Sequence, residues 1–186
     1  ATLISNLKIM RRTLINQISK RCDKSKEIIT GVVHALLSRS IFIKYLEERK
    51  DSNGETVFPQ DFYCNFMESA KRYTDVLNSK EATYNLFRIL KDKFNGDTLQ
   101  VSEIETEIIT QDDLNELRTF ILGDSELESR QLTLWPLYSF DIIPIQLISS
   151  IYELFFHLSD EEDEKGTYYT PLHLVNLVMD EVYPWE

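Results

Sequence analysis

The residues best suited to chemistry in this sequence are Tyr168, Tyr169, Thr170 and Pro171, which directly precede an amphipathic run. Threonine is a good helix N-cap and proline fits the first helical position, so a helix is predicted to begin here. The first turn of a helix exposes unpaired N–H groups and the positive end of its dipole, where a carboxylate can bind. The tyrosines add ring faces and hydroxyl groups. This junction is therefore a candidate anion-and-aromatic site, and the alternative interpretation is an ordinary capped helix.

Residues that commonly bind metals or act as nucleophiles are scattered along the rest of the chain. The cysteines and histidines are Cys22, Cys64, His34, His157 and His173. They do not fall at the short spacings of zinc or redox motifs, so we expect no metal site and reduced thiols. Phosphate-binding loops and Gly-x-Ser-x-Gly motifs are also missing from the sequence.

The elements that must position the junction are predicted to be helices. Apolar residues recur at three- and four-residue steps, and five Gly and five Pro are too few for a loop-rich or all-β chain. The predicted helices cover about 2–20, 25–50 (capped by Asp23 or Ser25), 79–94, 111–122, 144–158 and 171–182. A shorter helix from Pro59 would carry Phe62, Phe66, Ala70 and Tyr73. The fold class expected is all-α, an irregular bundle of about six or seven helices.

One span fits a helix poorly. Acidic and aliphatic residues alternate between Val101 and Ile109, a pattern typical of an exposed strand or an extended connector. Because no second strand is apparent, we predict an extended connector over about 97–109.

The net charge of −11 hides a gradient along the chain. Residues 1–50 carry +7, residues 51–100 carry −2 and residues 101–186 carry −16. The acidic part repels DNA phosphates, so the chain alone should bind nucleic acid weakly. The basic N-terminal part is interpreted as an ordinary solvated face or as a surface that contacts a nucleic-acid backbone.

The sequence predicts neither a membrane span nor a signal peptide. Apolar stretches are interrupted by polar residues before about 18 positions, and the start lacks an apolar region. We therefore expect a cytoplasmic protein with no membrane partner.

Two segments together resemble a known family. The run Ile151-Tyr-Glu-Leu-Phe155 is followed, after an acidic stretch, by Gly166-Thr-Tyr-Tyr-Thr-Pro171. This order resembles the entry into the catalytic domain of gamma-class adenine-N6 DNA methyltransferases, which include type I modification subunits and fused type II restriction–modification enzymes. The approach from Leu134 to Ser149 is similar to that of the fused branch. The resemblance implies that Gly166, Tyr168, Tyr169, Thr170 and Pro171 help bind S-adenosylmethionine near its methionine carboxylate.

The resemblance also implies how the chain is divided. Residues 1–165 would be an N-terminal helical domain, and residues 166–186 the start of a truncated catalytic domain. The family's glycine-rich loop and its Asn-Pro-Pro-Tyr motif are not in this sequence. We therefore expect no catalytic residues, no activity and weak or no cofactor binding in this chain alone. The partners implied are DNA, the remaining methyltransferase domain, and a specificity or restriction subunit.

A function of another class remains open. The −16 charge of residues 101–186 also fits a stand-alone helical interaction module or an acidic DNA mimic. Such a protein would bind a DNA-binding partner in a salt-sensitive way and would not depend on a cofactor.

Overall fold

Helices dominate the part of the chain described by the computed structural model, which is residues 3–94, 99–123 and 151. The α-helices are α1 (Leu3–Arg21), α2 (Lys26–Glu48), α3 (Tyr73–Val76), α4 (Lys80–Phe94), α5 (Glu103–Ile108) and α6 (Gln111–Leu122). A 3-10 helix, Phe62–Asn65, lies between α2 and α3. Pairing between extended segments within these residues is limited to an isolated bridge from Lys50 to Thr56. The all-α prediction is therefore confirmed for this part of the chain.

The central helix is α2, which packs against α1, α3 and α6. It begins where the Ser25 hydroxyl accepts a hydrogen bond from the Ile28 N–H at 3.3 Å, so Ser25 is the cap of the two candidates, Asp23 and Ser25, that the sequence offered. Its buried residues occupy most of its circumference between Ile29 and Tyr45, which is typical of a helix surrounded by others. A single hydrophobic cluster joins all six α-helices and Ile151.

By length and composition α2 would also pass as a membrane-spanning helix. Its most apolar 18-residue window has a mean hydropathy of 1.3, but 67% of that window is buried inside the protein. The core helix of a soluble protein has the same properties, so this finding is weak evidence for a membrane span.

The predicted connector over 97–109 is wrong for its second half, because Glu103–Ile108 forms α5. The Ser102 hydroxyl caps this helix by accepting from the Glu105 N–H at 3.1 Å. Glu105 and Ile108, three residues apart, both point into the core. Over only six residues, the alternation of acidic and aliphatic residues fits a helix face as well as a strand.

The helix predicted from Pro59 is also corrected. The chain forms only the 3-10 turn Phe62–Asn65, and Tyr73 starts the separate helix α3. Phe58, Phe62 and Tyr63 pack their rings together, with centroids 4.7 to 5.8 Å apart. This local aromatic packing holds the segment against the core without a continuous helix.

The last complete helix described, α6, begins and ends as the sequence predicted. The Asp113 carboxylate accepts from the Thr110 N–H at 2.7 Å and from its hydroxyl at 2.9 Å. Gly123 ends the helix in the left-handed conformation, with φ of 64°. Beyond it, Ile151 is helical and fully buried. The other expectations for 124–186, including the domain boundary at 165, lie outside the described residues.

Candidate functional site

The residues of the predicted cofactor site, Gly166, Tyr168, Tyr169, Thr170 and Pro171, lie outside the residues that the structure describes. Their prediction therefore rests on the sequence. The described helices do, however, present two arrangements of charged groups with different possible roles, one exposed on α1 and one buried between α2 and α5.

The exposed arrangement is a stripe of polar side chains along α1. This helix contains five Lys and Arg residues and no Asp or Glu. Most of its apolar residues face the core, and Ile4 and Ile9 are half-buried, so the opposite side is left to solvent. The exposed stripe, called here the α1 stripe, consists of Ser5, Lys8, Arg12, Asn16, Ser19 and Lys20. Every one of these side chains can donate a hydrogen bond, and none is acidic.

The other cations near the C-terminal end of α1 form ion pairs within the protein. Arg21 forms an ion pair with the buried Asp113 and donates to the Ile108 carbonyl at 3.2 Å. Lys24 lies 3.6 Å from the Glu107 carboxylate. The Arg21 contacts attach the end of α1 to α5 and α6. Among the described residues, by contrast, Lys8 and Arg12 have no carboxylate within ion-pair distance.

The unneutralised pair Lys8 and Arg12 works against helix stability. Like charges four residues apart destabilise a helix by about 0.2–0.5 kcal/mol. Arg11 adds a third positive charge beside Arg12, and its Nε donates to His34 Nε2. Burial and the neighbouring Arg12 charge lower the pKa of Arg11. Among the described residues, no carboxylate lies within ion-pair distance of these three cations.

A groove of about 520 Å³ separates the α1 stripe from α6. It is lined by Gln17, Lys20 and Arg21 on one side and by Asp112, Asn115 and Glu116 on the other. Because both signs of charge face it, the groove suits neither an anion nor a cation. Lys20 lies at its edge, so its charge is partly offset by the carboxylates of α6.

The buried arrangement centres on Arg39 of α2, whose side chain is 0% exposed. Its guanidinium donates to both oxygens of Glu105, at 2.6 and 3.2 Å, and to the Gln100 carbonyl at 2.6 Å. The Phe87 ring lies against it, with the centroid 4.6 Å from Cζ. Arg39 therefore joins α2, α4 and α5 through a charged group that water does not reach.

Tyrosines surround this ion pair but are poorly suited to acid–base chemistry. The Tyr73 hydroxyl lies 2.7 Å from Ser40 Oγ. Burial raises the pKa of Tyr73, and burial together with the Glu105 carboxylate raises the pKa of Tyr84. Both phenols stay neutral near pH 7, and the ion pair between them is buried. We interpret this cluster as a structural network.

A second polar cluster lies one turn further along α2. Lys44 Nζ contacts carboxylate oxygens of Glu47 and Glu48, each at 2.6 Å. Burial opposes the Lys44 charge, but the two carboxylates outweigh it and raise the pKa of Lys44. The other oxygen of Glu47 accepts from the Tyr73 N–H at 2.6 Å, which orders the start of α3. This cluster is also structural.

Sequence reasoning missed the pairing of Arg39 with Glu105. One signal was present, because an arginine within a helix that is apolar on most sides requires a buried acceptor. The identity of that acceptor could not be read from the sequence, since 66 residues separate the two. Among the residues that the structure describes, no three His, Cys, Asp or Glu side chains are grouped to hold a metal ion.

Comparisons with protein-family models, with curated proteins and with solved structures found no match to this chain.

Proposed function

We propose that this chain is the N-terminal helical region of a gamma-class adenine-N6 DNA methyltransferase from a restriction–modification system. The observation that carries the proposal is the motif Gly166-Thr-Tyr-Tyr-Thr-Pro171, placed after the run that begins Ile151-Tyr-Glu. An all-α architecture for residues 3–94 and 99–123 is compatible with a helical domain that precedes the catalytic domain.

In this proposal the helical region packs beside the catalytic domain and shapes one wall of the DNA cleft. Gly166, Tyr168, Tyr169, Thr170 and Pro171 contribute to the pocket for S-adenosylmethionine, with the helix N-terminus facing the methionine carboxylate. The catalytic residues lie in the remaining methyltransferase domain. The protein works in the cytoplasm, where DNA, cofactor and a specificity or restriction subunit are accessible.

Membership of the proposed methyltransferase family is tested by measuring methyl transfer. Labelled S-adenosylmethionine and DNA of mixed sequence are incubated with the gene product extended beyond Glu186, and this chain alone is the control. Label on adenine N6 from the extended protein only is the expected result. A folded extended protein that neither transfers methyl groups nor binds the cofactor would refute the proposal.

The test of the site compares substitutions within the same motif. Tyr169→Ala and Pro171→Ala in the extended protein should raise the dissociation constant for S-adenosylmethionine, measured by calorimetry. Thr167→Ala is the matched control, because the family pattern leaves that position open. Equal constants in all three variants and the unsubstituted protein would remove these residues from the site.

A second candidate function is supported by the −16 charge of residues 101–186. An acidic interaction module or DNA mimic would bind a basic DNA-binding protein, and salt would weaken that binding. It would show no response to S-adenosylmethionine. The cofactor-binding measurement therefore separates the two functions.

A further inference from the structure

We propose that the α1 stripe binds the phosphate backbone of duplex DNA, with Lys8 and Arg12 as the charged contacts and Asn16 as a neutral donor. The choice of DNA as the polyanion rests on the proposed function, whereas the contact itself is inferred from α1. The methyl-transfer test does not assign any part of the helical region to DNA.

The first step of the inference concerns how charge is distributed. The chain as a whole has 31 Asp and Glu residues, yet α1 has none over its 19 residues. The neighbouring cations Arg21 and Lys24 are paired with carboxylates of α6 and α5, respectively. Lys8 and Arg12 remain exposed on the far side of the helix, where they repel each other. A polyanion bound there would relieve this repulsion.

The second step concerns spacing. Lys8, Arg12 and Asn16 follow each other at four-residue intervals, which places them about 6 Å apart along the helix axis. They turn only gradually around the helix, so they form a row that can follow one strand of a duplex. Lys and Arg together with Ser and Asn are the side chains that commonly bind phosphate oxygens.

The third step separates DNA from other partners. Protein interfaces usually centre on aromatic or apolar anchors, and the α1 stripe contains neither. A membrane surface would require the apolar face of α1, but Leu7, Leu14 and Ile18 of that face are fully buried. A row of donors without an apolar centre is best matched by a phosphate backbone.

The measurement is fluorescence anisotropy of a labelled mixed-sequence duplex titrated with this chain, without S-adenosylmethionine, at several salt concentrations. The test variant is Lys8→Gln/Arg12→Gln. The matched control is Arg88→Gln/Lys93→Gln, which removes one Arg and one Lys from exposed positions on α4. Both variants change the net charge equally, so a difference between them reports position rather than bulk charge. Circular dichroism verifies that both are folded.

Two phosphate contacts contribute about −1.8 to the slope of log K against log salt concentration. We expect the α1 variant to lose about that much slope, so that its affinity falls about tenfold less between about 50 and 200 mM salt than that of the unsubstituted chain, while the α4 variant retains the full slope. The exchange variant Lys8→Arg/Arg12→Lys should bind as the unsubstituted chain does, because it keeps both positive charges.

Three results would overturn the inference. One is absence of binding by the unsubstituted chain at about 25 mM salt, where phosphate contacts are strongest. Another is an equal loss of affinity in the α1 and α4 variants. The third is equally tight binding to polyglutamate, which would assign the stripe to an acidic protein. Because no cofactor is used, none of these results depends on whether the extended protein transfers methyl groups.

Discussion

Replacing Glu105 with glutamine would leave the Arg39 guanidinium charged, buried and opposite a neutral amide. The substitution keeps the size and shape of the side chain, so it creates almost no cavity. It removes the carboxylate that accepts two hydrogen bonds from Arg39, and it turns amide N–H groups toward a donor. Arg39 would retain its bond to the Gln100 carbonyl.

The expected loss of stability is large because neither partner reaches water. Arg39 is 0% exposed and Glu105 is 1% exposed. Two opposite charges about 4 Å apart attract by about 4 kcal/mol at an effective dielectric constant of about 20. Breaking a buried ion pair from one side typically costs about 3–5 kcal/mol. That is a large part of the 5–15 kcal/mol or so that stabilises a typical domain.

Urea denaturation followed by circular dichroism would measure this loss as a change in the free energy of unfolding. Glu107→Gln is the matched control on the same helix. Its carboxylate is 64% exposed and lies 3.6 Å from Lys24, so its removal should change stability by less than about 1 kcal/mol. Removing both buried charges, in Arg39→Met/Glu105→Leu, should cost less than Glu105→Gln alone because no unpaired charge remains.

The reasoning would be refuted if Glu105→Gln and Glu107→Gln had the same small effect. It would also be refuted if the double replacement were as destabilising as the sum of its single replacements, since that would show no coupling between the charges. In either case Arg39 would be solvated or paired elsewhere in solution.

Two further predictions concern His34 and the glycines. Burial and the Arg11 charge lower the pKa of His34 to about 4, below its ordinary 6.5. The stability that neutral His34 contributes is therefore present above about pH 6.5 and is lost as the pH falls toward 4. His34→Gln should flatten the decline in Tm over that interval; an unchanged pH profile would contradict this. Gly31→Ala should raise stability by about 0.5–1 kcal/mol, because the helical site has open space. Gly54→Ala should lower it by about 1 kcal/mol despite equal space, because φ there is +83°. Thermal denaturation measures both, and shifts of the same sign would contradict the backbone argument.

Local signals in the sequence were sufficient for the long helices. The stripe from Leu3 to Ile18, the cap at Ser25 and the stop at Gly123 each depend on neighbours within about four residues. α5 was missed because its six residues are too few to establish a period, and its buried face includes the charged Glu105. A carboxylate is assigned to the core only when its distant partner is known.

The sequence by itself determined the all-α class of residues 3–94 and 99–123, the ends of the long helices and the concentration of positive charge in α1, because each follows from residue type and local spacing. It also supplied the motif on which the proposed methyltransferase function depends. The tertiary structure alone decided which charges are neutralised. Arg39 and Arg21 form ion pairs with carboxylates that are 66 and 92 residues away in the sequence, while Lys8 and Arg12 are exposed to solvent. The physical reason is that ion pairing depends on distance in space and on exclusion of water, and neither is fixed until the helices pack.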